Sequence, residues 1–155
     1  MPYLIDGNNL LGSWGGPAVP GDGRALVLRR VAEFCRRKGA RAILVFDGAP
    51  FRPDLDDQQI GAVSLRFPGP GRDADALVRE IVDGSARPGD LIVVTSDKPL
   101  YSYARTRGAR VLRAQEWNAL AREAAPAKGT REAANGEKPE REDDVDGWLK
   151  KFSGG

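Results

Sequence analysis

The chain has 155 residues, with 24 Lys+Arg against 22 Asp+Glu, one cysteine and no histidine. This length predicts one domain, with room for a tail. The absence of histidine excludes the Ser-His-Asp triad, the Cys-His dyad and the HExxH zinc site. The single cysteine, Cys35, excludes an intrachain disulfide and a CxxC metal site. Any catalysis therefore depends on carboxylates, hydroxyls, Lys, Arg or a metal held by oxygen atoms.

The first residues and the apolar runs predict a cytoplasmic protein. Residues 1–6 (Met-Pro-Tyr-Leu-Ile-Asp) lack the charged segment, the apolar core and the cleavage site of a signal peptide. No apolar run approaches the roughly 20 residues that cross a bilayer, so we expect no membrane partner. A single cysteine is consistent with a reducing compartment.

Basic residues are concentrated before residue 123. Residues 1–122 carry 18 Lys+Arg and 14 Asp+Glu, and 16 of these cations are Arg. Arg suits phosphate because its planar guanidinium donates two hydrogen bonds to one anion. An Arg-rich composition with an ordinary solvated surface explains the same numbers, so charge alone does not identify a nucleic acid partner.

Apolar spacing predicts strands and helices that alternate along the chain. Continuous or alternating apolar runs predict strands at 2–5, 41–46, 62–67, 90–95 and 109–112. Helical spacing predicts helices at 24–38, 73–83, 98–107 and 114–122. The Gly-rich segment 7–23 and the Pro-containing segment 49–61 are predicted as loops, with a turn of helix at 56–60. This alternation favours an α/β fold with an open, mainly parallel sheet of about five strands and helices on both faces.

The composition changes after a predicted domain at 1–122. Residues 123–144 have no Leu, Ile, Val, Phe, Tyr or Trp, and half of them are charged, so we predict a disordered linker. Residues 145–155 form a short amphipathic segment that either packs back on its own domain or binds a partner, such as a ribosome or another protein. Its apolar side chains recur at helical spacing and are Val145, Trp148, Leu149 and Phe152.

Five acidic residues follow predicted strands or open the helix after one. Asp6, Asp47 and Asp97 come at or just after the ends of the first, second and fourth strands. Asp73 and Asp75 open the helix that follows the third strand. Because parallel strands end at one edge of a sheet, and the next helices start there, we expect these carboxylates to converge on one crevice.

Such a cluster of carboxylates persists where a cation offsets the repulsion between them. Oxygen ligands without His or Cys select Mg²⁺ or Mn²⁺, ions that activate water and stabilise in-line displacement at phosphorus. The alternative is structural, since Asp is common at helix N-caps and Asp73 fits that position. One such Asp is more often structural than catalytic. Acidic residues at the corresponding place in four separate segments favour a metal site.

Four further residues are candidates, each with a structural alternative. Asn8 either orients a water at the metal or forms a turn. Ser96 either donates to a phosphate oxygen or caps a helix. Arg72 either grips a substrate phosphate or pairs with an acid. Trp14, in a Gly-rich loop, either stacks on a base of the substrate or anchors the loop to the core.

The candidate acids lie in four short stretches of sequence. These are Tyr-Leu-Ile-Asp-Gly-Asn-Asn-Leu-Leu (3–11), Val-Phe-Asp-Gly (45–48), Gly-Pro-Gly-Arg-Asp-Ala-Asp-Ala-Leu-Val (69–78) and Val-Val-Thr-Ser-Asp (93–97). As a set, and in this order over about residues 1–120, they resemble the NYN domain of the PIN-like nuclease superfamily, and within it the bacterial YacP-like group. The resemblance implies a three-layer α/β/α PIN-like fold and a metal-dependent ribonuclease.

The resemblance also implies roles for single positions. Relatives often carry a second acid directly after the position of Asp75, where this chain has Ala76, and Asp73 is the candidate substitute. The number of metals, one or two, is therefore open. The matching positions are Asp6, Asp75 and Asp97 as metal ligands, Asp47 as a fourth acid, and Asn8 and Ser96 as polar residues that flank the first and last ligands.

Our leading hypothesis is an endoribonuclease. Asp6, Asp75 and Asp97, with help from Asp47 or Asp73, hold one or two Mg²⁺ or Mn²⁺ ions. Activated water then attacks the scissile phosphate in line and leaves 5′-phosphate and 3′-hydroxyl ends. The preference for RNA over DNA rests on the resemblance.

Two other functions compete with the nuclease. One is a non-catalytic RNA- or ribosome-binding module on the same fold. The other is a phosphatase or phosphotransfer enzyme with an Asp nucleophile on a similar edge. It ranks last because Asn8 stands where the DxD pattern of such enzymes has its second Asp.

Overall fold

The computed structural model of the chain describes residues 2–14, 23–48 and 58–124. The predicted linker beyond residue 124 lies outside these residues, as does the amphipathic segment with Val145, Trp148, Leu149 and Phe152. Within the described ranges, the structure contains no helix with the length and apolar character needed to cross a membrane.

Strands and helices alternate along the described chain, and nine elements have bounds within two residues of those predicted. The strands are β1 (Tyr3–Asp6), β2 (Ala42–Val45), β3 (Gln58–Ile60), β4 (Val63–Arg66), β5 (Ile92–Val94) and β6 (Arg110–Leu112). The helices are α1 (Gly7–Ser13), α2 (Gly23–Lys38), α3 (Ala74–Asp83), α4 (Lys98–Thr106) and α5 (Ala114–Ala124).

The strands form one sheet in the order β3-β4-β2-β1-β5-β6, with β1 at its centre. All pairings are parallel except that of β3 with β4. The chain leaves β1 towards β2 and β4, then returns to the other side of β1 with β5 and β6. This reversal opens a crevice at the carboxyl ends of β1 and β5, the place where open α/β sheets bind ligands.

Helices cover both faces of the sheet, which gives the three layers that the sequence predicts. Ile5 and Leu44 pack on one face in a buried cluster with residues of α1, α2 and α5. Leu4 and Val45 pack on the other face with residues of α3 and α4. Successive residues of a strand point to opposite faces. The inner strands are therefore apolar at nearly every position.

Two segments predicted as loops contain regular elements. Gln58–Ile60 is an antiparallel edge strand, so the helical turn predicted at 56–60 is wrong for these residues, and the sheet has six strands where about five were predicted. Gly7–Ser13 is a helix, although glycine lowers helix propensity. Asp6 caps this helix by accepting a hydrogen bond from the backbone N of Asn9, and Leu10 is completely buried.

Candidate functional site

All five predicted acids line one cleft at the carboxyl edge of the sheet. The cleft has a volume of about 280 Å³ and lies where the strand order reverses. The predicted convergence of four separate chain segments is therefore present in the fold. The lining residues are Asp6, Asn8, Asn9, Asp47, Asp73, Ala74, Asp75, Asp97 and Leu100.

Asp6, at the end of β1, is the most deeply buried of these acids. Its side chain accepts weak hydrogen bonds from Thr95 Oγ1 at 3.3 Å and from the backbone N of Asn9 at 3.4 Å. Burial raises the pKa of Asp6 above its ordinary 3.8, the two hydrogen bonds oppose this rise, and the nearby charges of Asp47 and Asp97 add to it, so that the pKa is about 6. An ionised Asp6 is therefore costly in this cleft unless a cation lies beside it.

Asp47 and Asp73 both fix the start of α3 at the cleft. Asp47 Oδ1 accepts a hydrogen bond from the backbone N of Ala74 at 2.6 Å, and Asp73 Oδ1 accepts one from the backbone N of Ala76 at 2.8 Å. Asp73 is thus the N-cap of the helix, as the structural alternative expects. The first turn of α3 is tied to the loop after β2, which brings Asp75 to the same cleft.

Asp97 is the N-cap of α4, and its Oδ2 accepts a hydrogen bond from the backbone N of Leu100 at 3.0 Å. Its own backbone N donates to Thr95 Oγ1 at 3.1 Å. The Thr95 hydroxyl therefore accepts from the Asp97 backbone while it donates to Asp6. This small network sets Asp6 and Asp97 side by side across β1 and β5.

Asp75 differs from the other four acids because it has an ion-pair partner within the described residues. Its Oδ1 accepts a hydrogen bond from Arg79 Nε, one helical turn along α3, at 2.6 Å. This bond raises the pKa of the Arg79 guanidinium. In this arrangement, one oxygen of Asp75 is directed towards Arg79.

Two asparagines on α1 join the loops that carry the acids. Asn8 Oδ1 accepts a hydrogen bond from the backbone N of Asp47 at 2.6 Å, and Asn9 Oδ1 accepts one from the backbone N of Ser96 at 2.7 Å. Asn8 lines the cleft, as predicted for a site residue. Asn9 was not singled out by sequence reasoning, although its position at i+3 from Asp6 in the Asp-Gly-Asn-Asn stretch was a usable signal.

Ser96 and Arg72 do not line the cleft. The Ser96 hydroxyl accepts a hydrogen bond from the backbone N of Ala114 at 3.0 Å and donates to Gln115 Oε1 at 3.3 Å, so it supports the start of α5. Arg72 forms an ion pair with Glu80 on the surface of α3. Arg72 is thus paired with an acid, as its structural alternative expects, whereas the N-cap of α4 is Asp97 and Ser96 contacts the start of α5 instead.

Trp14 also lies outside the cleft lining, at the end of α1. Its ring is partly buried against the core, and its Nε1 donates to Asn118 Oδ1 at 2.9 Å. The Arg30 guanidinium lies 5.1 Å from the ring centroid. These contacts favour the anchoring role over stacking on a base.

The chemistry of the cleft fits a hard divalent cation, but its side chains do not form a ready-made site. The acidic side chains of the cleft all offer carboxylate oxygens, the ligands that Mg²⁺ and Mn²⁺ prefer. Across residues 2–14, 23–48 and 58–124, no three acidic side chains are placed so that one ion binds them together. Ion binding therefore requires side-chain rotation, most obviously of Asp75, which is directed towards Arg79.

Solved structures with the same fold come from Bacillus subtilis. The crystal structure of Rae1 (YacP) is 21% identical over 80% of this chain and 75% of that chain, with a TM-score of 0.63. Its W164L mutant is 23% identical over 79% of this chain and 74% of that chain, with a TM-score of 0.61. At this identity the likeness shows the shared fold. A search of the curated proteins finds no match.

A family model described as the YacP-like NYN domain matches residues 3–151. The match continues past residue 120, where the resemblance was expected to end, and runs through the predicted linker into the amphipathic segment. NYN domains are a nuclease-like, RNA-related family that generally uses a divalent metal. Because the family model covers nearly the whole chain, this protein belongs to the YacP-like NYN domain family.

Proposed function

We propose that this protein is a metal-dependent endoribonuclease whose cleft binds one or two Mg²⁺ or Mn²⁺ ions. The observation that carries the proposal is the convergence of five carboxylates, from four separate segments, on one cleft at the reversal of strand order. Three of them also cap helices, but capping does not require that they share a cleft. A shared function explains the convergence, and membership of a nuclease-like family supports it.

The electrostatics of Asp6 support a cation in this cleft. Its pKa is raised to about 6 by burial and by the charges of Asp47 and Asp97. A buried carboxylate that is kept close to two others destabilises the fold when it is ionised. A divalent cation among them reverses the sign of that interaction, which gives a physical reason for the arrangement.

We assign different tasks to the five acids. Asp6, Asp75 and Asp97 come from different elements and are the proposed metal ligands. Asp47 and Asp73 each use one oxygen to hold the start of α3. They are therefore auxiliary ligands that also keep Asp75 at the cleft. Asn8 and Asn9 hold the loops after β2 and β5 at a fixed distance from β1.

A bound Mg²⁺ or Mn²⁺ would supply activation of water and stabilisation of the charge that develops on the phosphorus oxygens. A phosphodiester that binds at this sheet edge would meet Asp6 at the end of β1, Asp97 at the start of α4, and Asp73 and Asp75 at the start of α3. In-line attack by water leaves a 5′-phosphate and a 3′-hydroxyl, and the whole reaction runs without histidine, which the chain lacks.

A non-catalytic RNA-binding module is the second candidate. It is favoured by one observation: within the described residues no three acids are placed to bind an ion together. Asp75 is paired with Arg79 instead. In a protein that only binds RNA, Asp75 would have no metal to bind, and its ion pair with Arg79 would remain when RNA is bound.

Cleavage assays separate the two functions. End-labelled RNA is incubated with the full chain and Mn²⁺, with and without EDTA, and the wild type is compared with Asp6→Asn and with Asp90→Asn. Asp90 is an exposed acid at the end of a short 3-10 helix (Pro88–Asp90) outside the cleft, so it is a control for the loss of one charge. Cutting that is sensitive to EDTA, lost in Asp6→Asn and retained in Asp90→Asn supports the enzyme. RNA binding that persists in EDTA, without cutting under any condition, supports the module.

A further inference from the structure

The ion pair between Asp75 and Arg79 engages one carboxylate oxygen of a proposed metal ligand with a cation of the protein. Among the described residues, no other acid of the cleft has an ion-pair partner. The side chains of Asp75 and Arg79 are 39% and 37% exposed, respectively. Both are therefore reached by solutes without any unfolding of α3.

Arg79 also has a second support, which does not depend on Asp75. Its guanidinium lies 4.7 Å from the ring centroid of Tyr103 on α4. The Tyr103 hydroxyl donates a hydrogen bond to Asp83 Oδ2 at 2.5 Å, which fixes the ring. If Asp75 turns away, Arg79 keeps its contact with the Tyr103 ring and so stays on the same side of α3.

We propose that the Asp75–Arg79 pair exchanges partners when the site is loaded: a divalent cation takes the carboxylate, and a phosphate of the nucleic acid takes the guanidinium. The inference rests on the proposed function. Its new claim is that the metal and RNA bind cooperatively. Arg79 has two roles in this scheme: it binds the phosphate of the nucleic acid directly, and it acts on the metal through Asp75.

The direction of the coupling follows from the charges. In the unloaded cleft, Arg79 competes with the cation for Asp75 and adds a positive charge beside it, so it weakens metal binding. A phosphate that binds the planar guanidinium removes this competitor and adds a compensating negative charge. Linkage requires the converse as well, so the metal strengthens the binding of RNA by the same factor.

The test is the affinity of the full chain for Mn²⁺, measured by calorimetry with and without a ten-nucleotide phosphorothioate RNA. The titrations are run at 4 °C, and gels verify that the oligomer stays intact. The variants are Arg79→Ala, Arg79→Lys and Arg105→Ala. Arg105 is the matched control because it lies on the same side of the sheet, on α4, and contacts Tyr101 instead of the cleft acids.

We expect the oligomer to tighten Mn²⁺ binding to the wild type by at least about fivefold, a typical lower value for coupled sites. Arg79→Ala binds Mn²⁺ more tightly than the wild type without the oligomer and gains little from its addition. Arg79→Lys keeps part of the coupling, since it keeps the charge but loses the planar fork. Arg105→Ala behaves as the wild type does.

Two negative outcomes have different meanings. If the wild type binds Mn²⁺ in the cleft but Arg79→Ala has the same affinity and the same response to the oligomer, the exchange is overturned and the proposed nuclease stands. If the wild type binds no Mn²⁺ with or without the oligomer, both the exchange and the proposed function are overturned.

Discussion

The Thr95 hydroxyl donates a hydrogen bond to Asp6 Oδ2 at 3.3 Å, and both residues are buried at the carboxyl ends of neighbouring strands. The same oxygen of Thr95 accepts a hydrogen bond from the backbone N of Asp97. One hydroxyl thus fixes the relative positions of two acids that lie 91 residues apart in the chain. The cleft is held together by such polar links between the loops, on top of an apolar sheet.

Asp6→Asn is expected to stabilise the metal-free protein. A pKa that rises from 3.8 to about 6 corresponds to roughly 3 kcal/mol of destabilisation at neutral pH, at 1.36 kcal/mol per unit. The amide removes the buried charge and can still accept the bond from Thr95. We expect the free energy of unfolding in urea with EDTA at pH 7.5 to rise by about 1–3 kcal/mol.

Asp90→Asn provides the comparison for that measurement, since it removes one exposed acid outside the cleft and should change stability by less than about 0.5 kcal/mol. With saturating Mn²⁺ the wild type should become more stable than Asp6→Asn, because binding of the ion stabilises only the wild type. An Asp6→Asn protein that is less stable than the wild type in EDTA would contradict the claim that the ionised Asp6 carboxylate destabilises the folded protein.

The pH dependence of stability has a defined sign. Below about pH 3.8, Asp6 is protonated in both the folded and the unfolded state, so its ionisation does not lower the free energy of unfolding. Between pH 3.8 and about 6, the folded state keeps the proton that the unfolded state has lost, so stability falls as the pH rises. Above pH 6 the full penalty is present. The stability of the metal-free wild type relative to Asp6→Asn should therefore fall across this window and then level off.

Urea unfolding of both proteins at half-unit steps from pH 3.5 to 7.5 measures this difference, in which the other titrating groups largely cancel. A difference that is constant with pH would show that Asp6 has an ordinary pKa in the folded protein.

Gly7 is required by the close packing of α1 against the core. A Cβ atom at this position would lie well inside van der Waals contact with the ring of Phe46, which is completely buried. Gly7→Ala should cost about 1–3 kcal/mol by overpacking and should displace the adjacent Asp6. Gly12 lies in the same helix, and among the residues that the structure describes no neighbouring atom lies within 4 Å of the place a Cβ atom would take, so Gly12→Ala should stabilise by about 0.5–1 kcal/mol. Equal effects at the two glycines in urea unfolding would refute the steric argument.

Trp14→Leu is expected to reduce stability without changing the affinity for RNA. The substitution removes the hydrogen bond to Asn118 and part of the packing against the core, which together contribute about 1–3 kcal/mol. Urea unfolding measures the loss, and fluorescence anisotropy with labelled RNA, under conditions where the variant is folded, measures the affinity. A tenfold weaker affinity in the folded variant would instead restore Trp14 as a base-stacking residue.

The sheet and most helices were predictable because buried elements carry their pattern in the sequence. The run from Ala42 to Val45 is apolar at every position, as a strand covered on both faces requires. Strand β3 could not be found this way, since Gln58 and Gln59 are exposed and only Ile60 is buried. Helix α1 was missed because two of its seven residues are glycine, and its stability comes from tertiary packing of Leu10.

The position of the acids was predictable, and their partners were not. The convergence of Asp6, Asp47 and Asp97 follows from parallel strands alone, because all such strands end at one edge. The pairing of Asp75 with Arg79 and the link from Asn9 to Ser96 depend on side-chain rotamers and loop paths. Apolar periodicity contains no information on these features.

The most direct test of the account is anomalous scattering from Mn²⁺ in crystals of the wild-type protein. We predict a peak in the cleft, bound by carboxylate oxygens of Asp6 and Asp97, with Asp75 turned from Arg79 towards the ion. A cleft without a Mn²⁺ peak at millimolar concentration, with Asp75 still bonded to Arg79, would contradict the metal site on which the proposed nuclease depends.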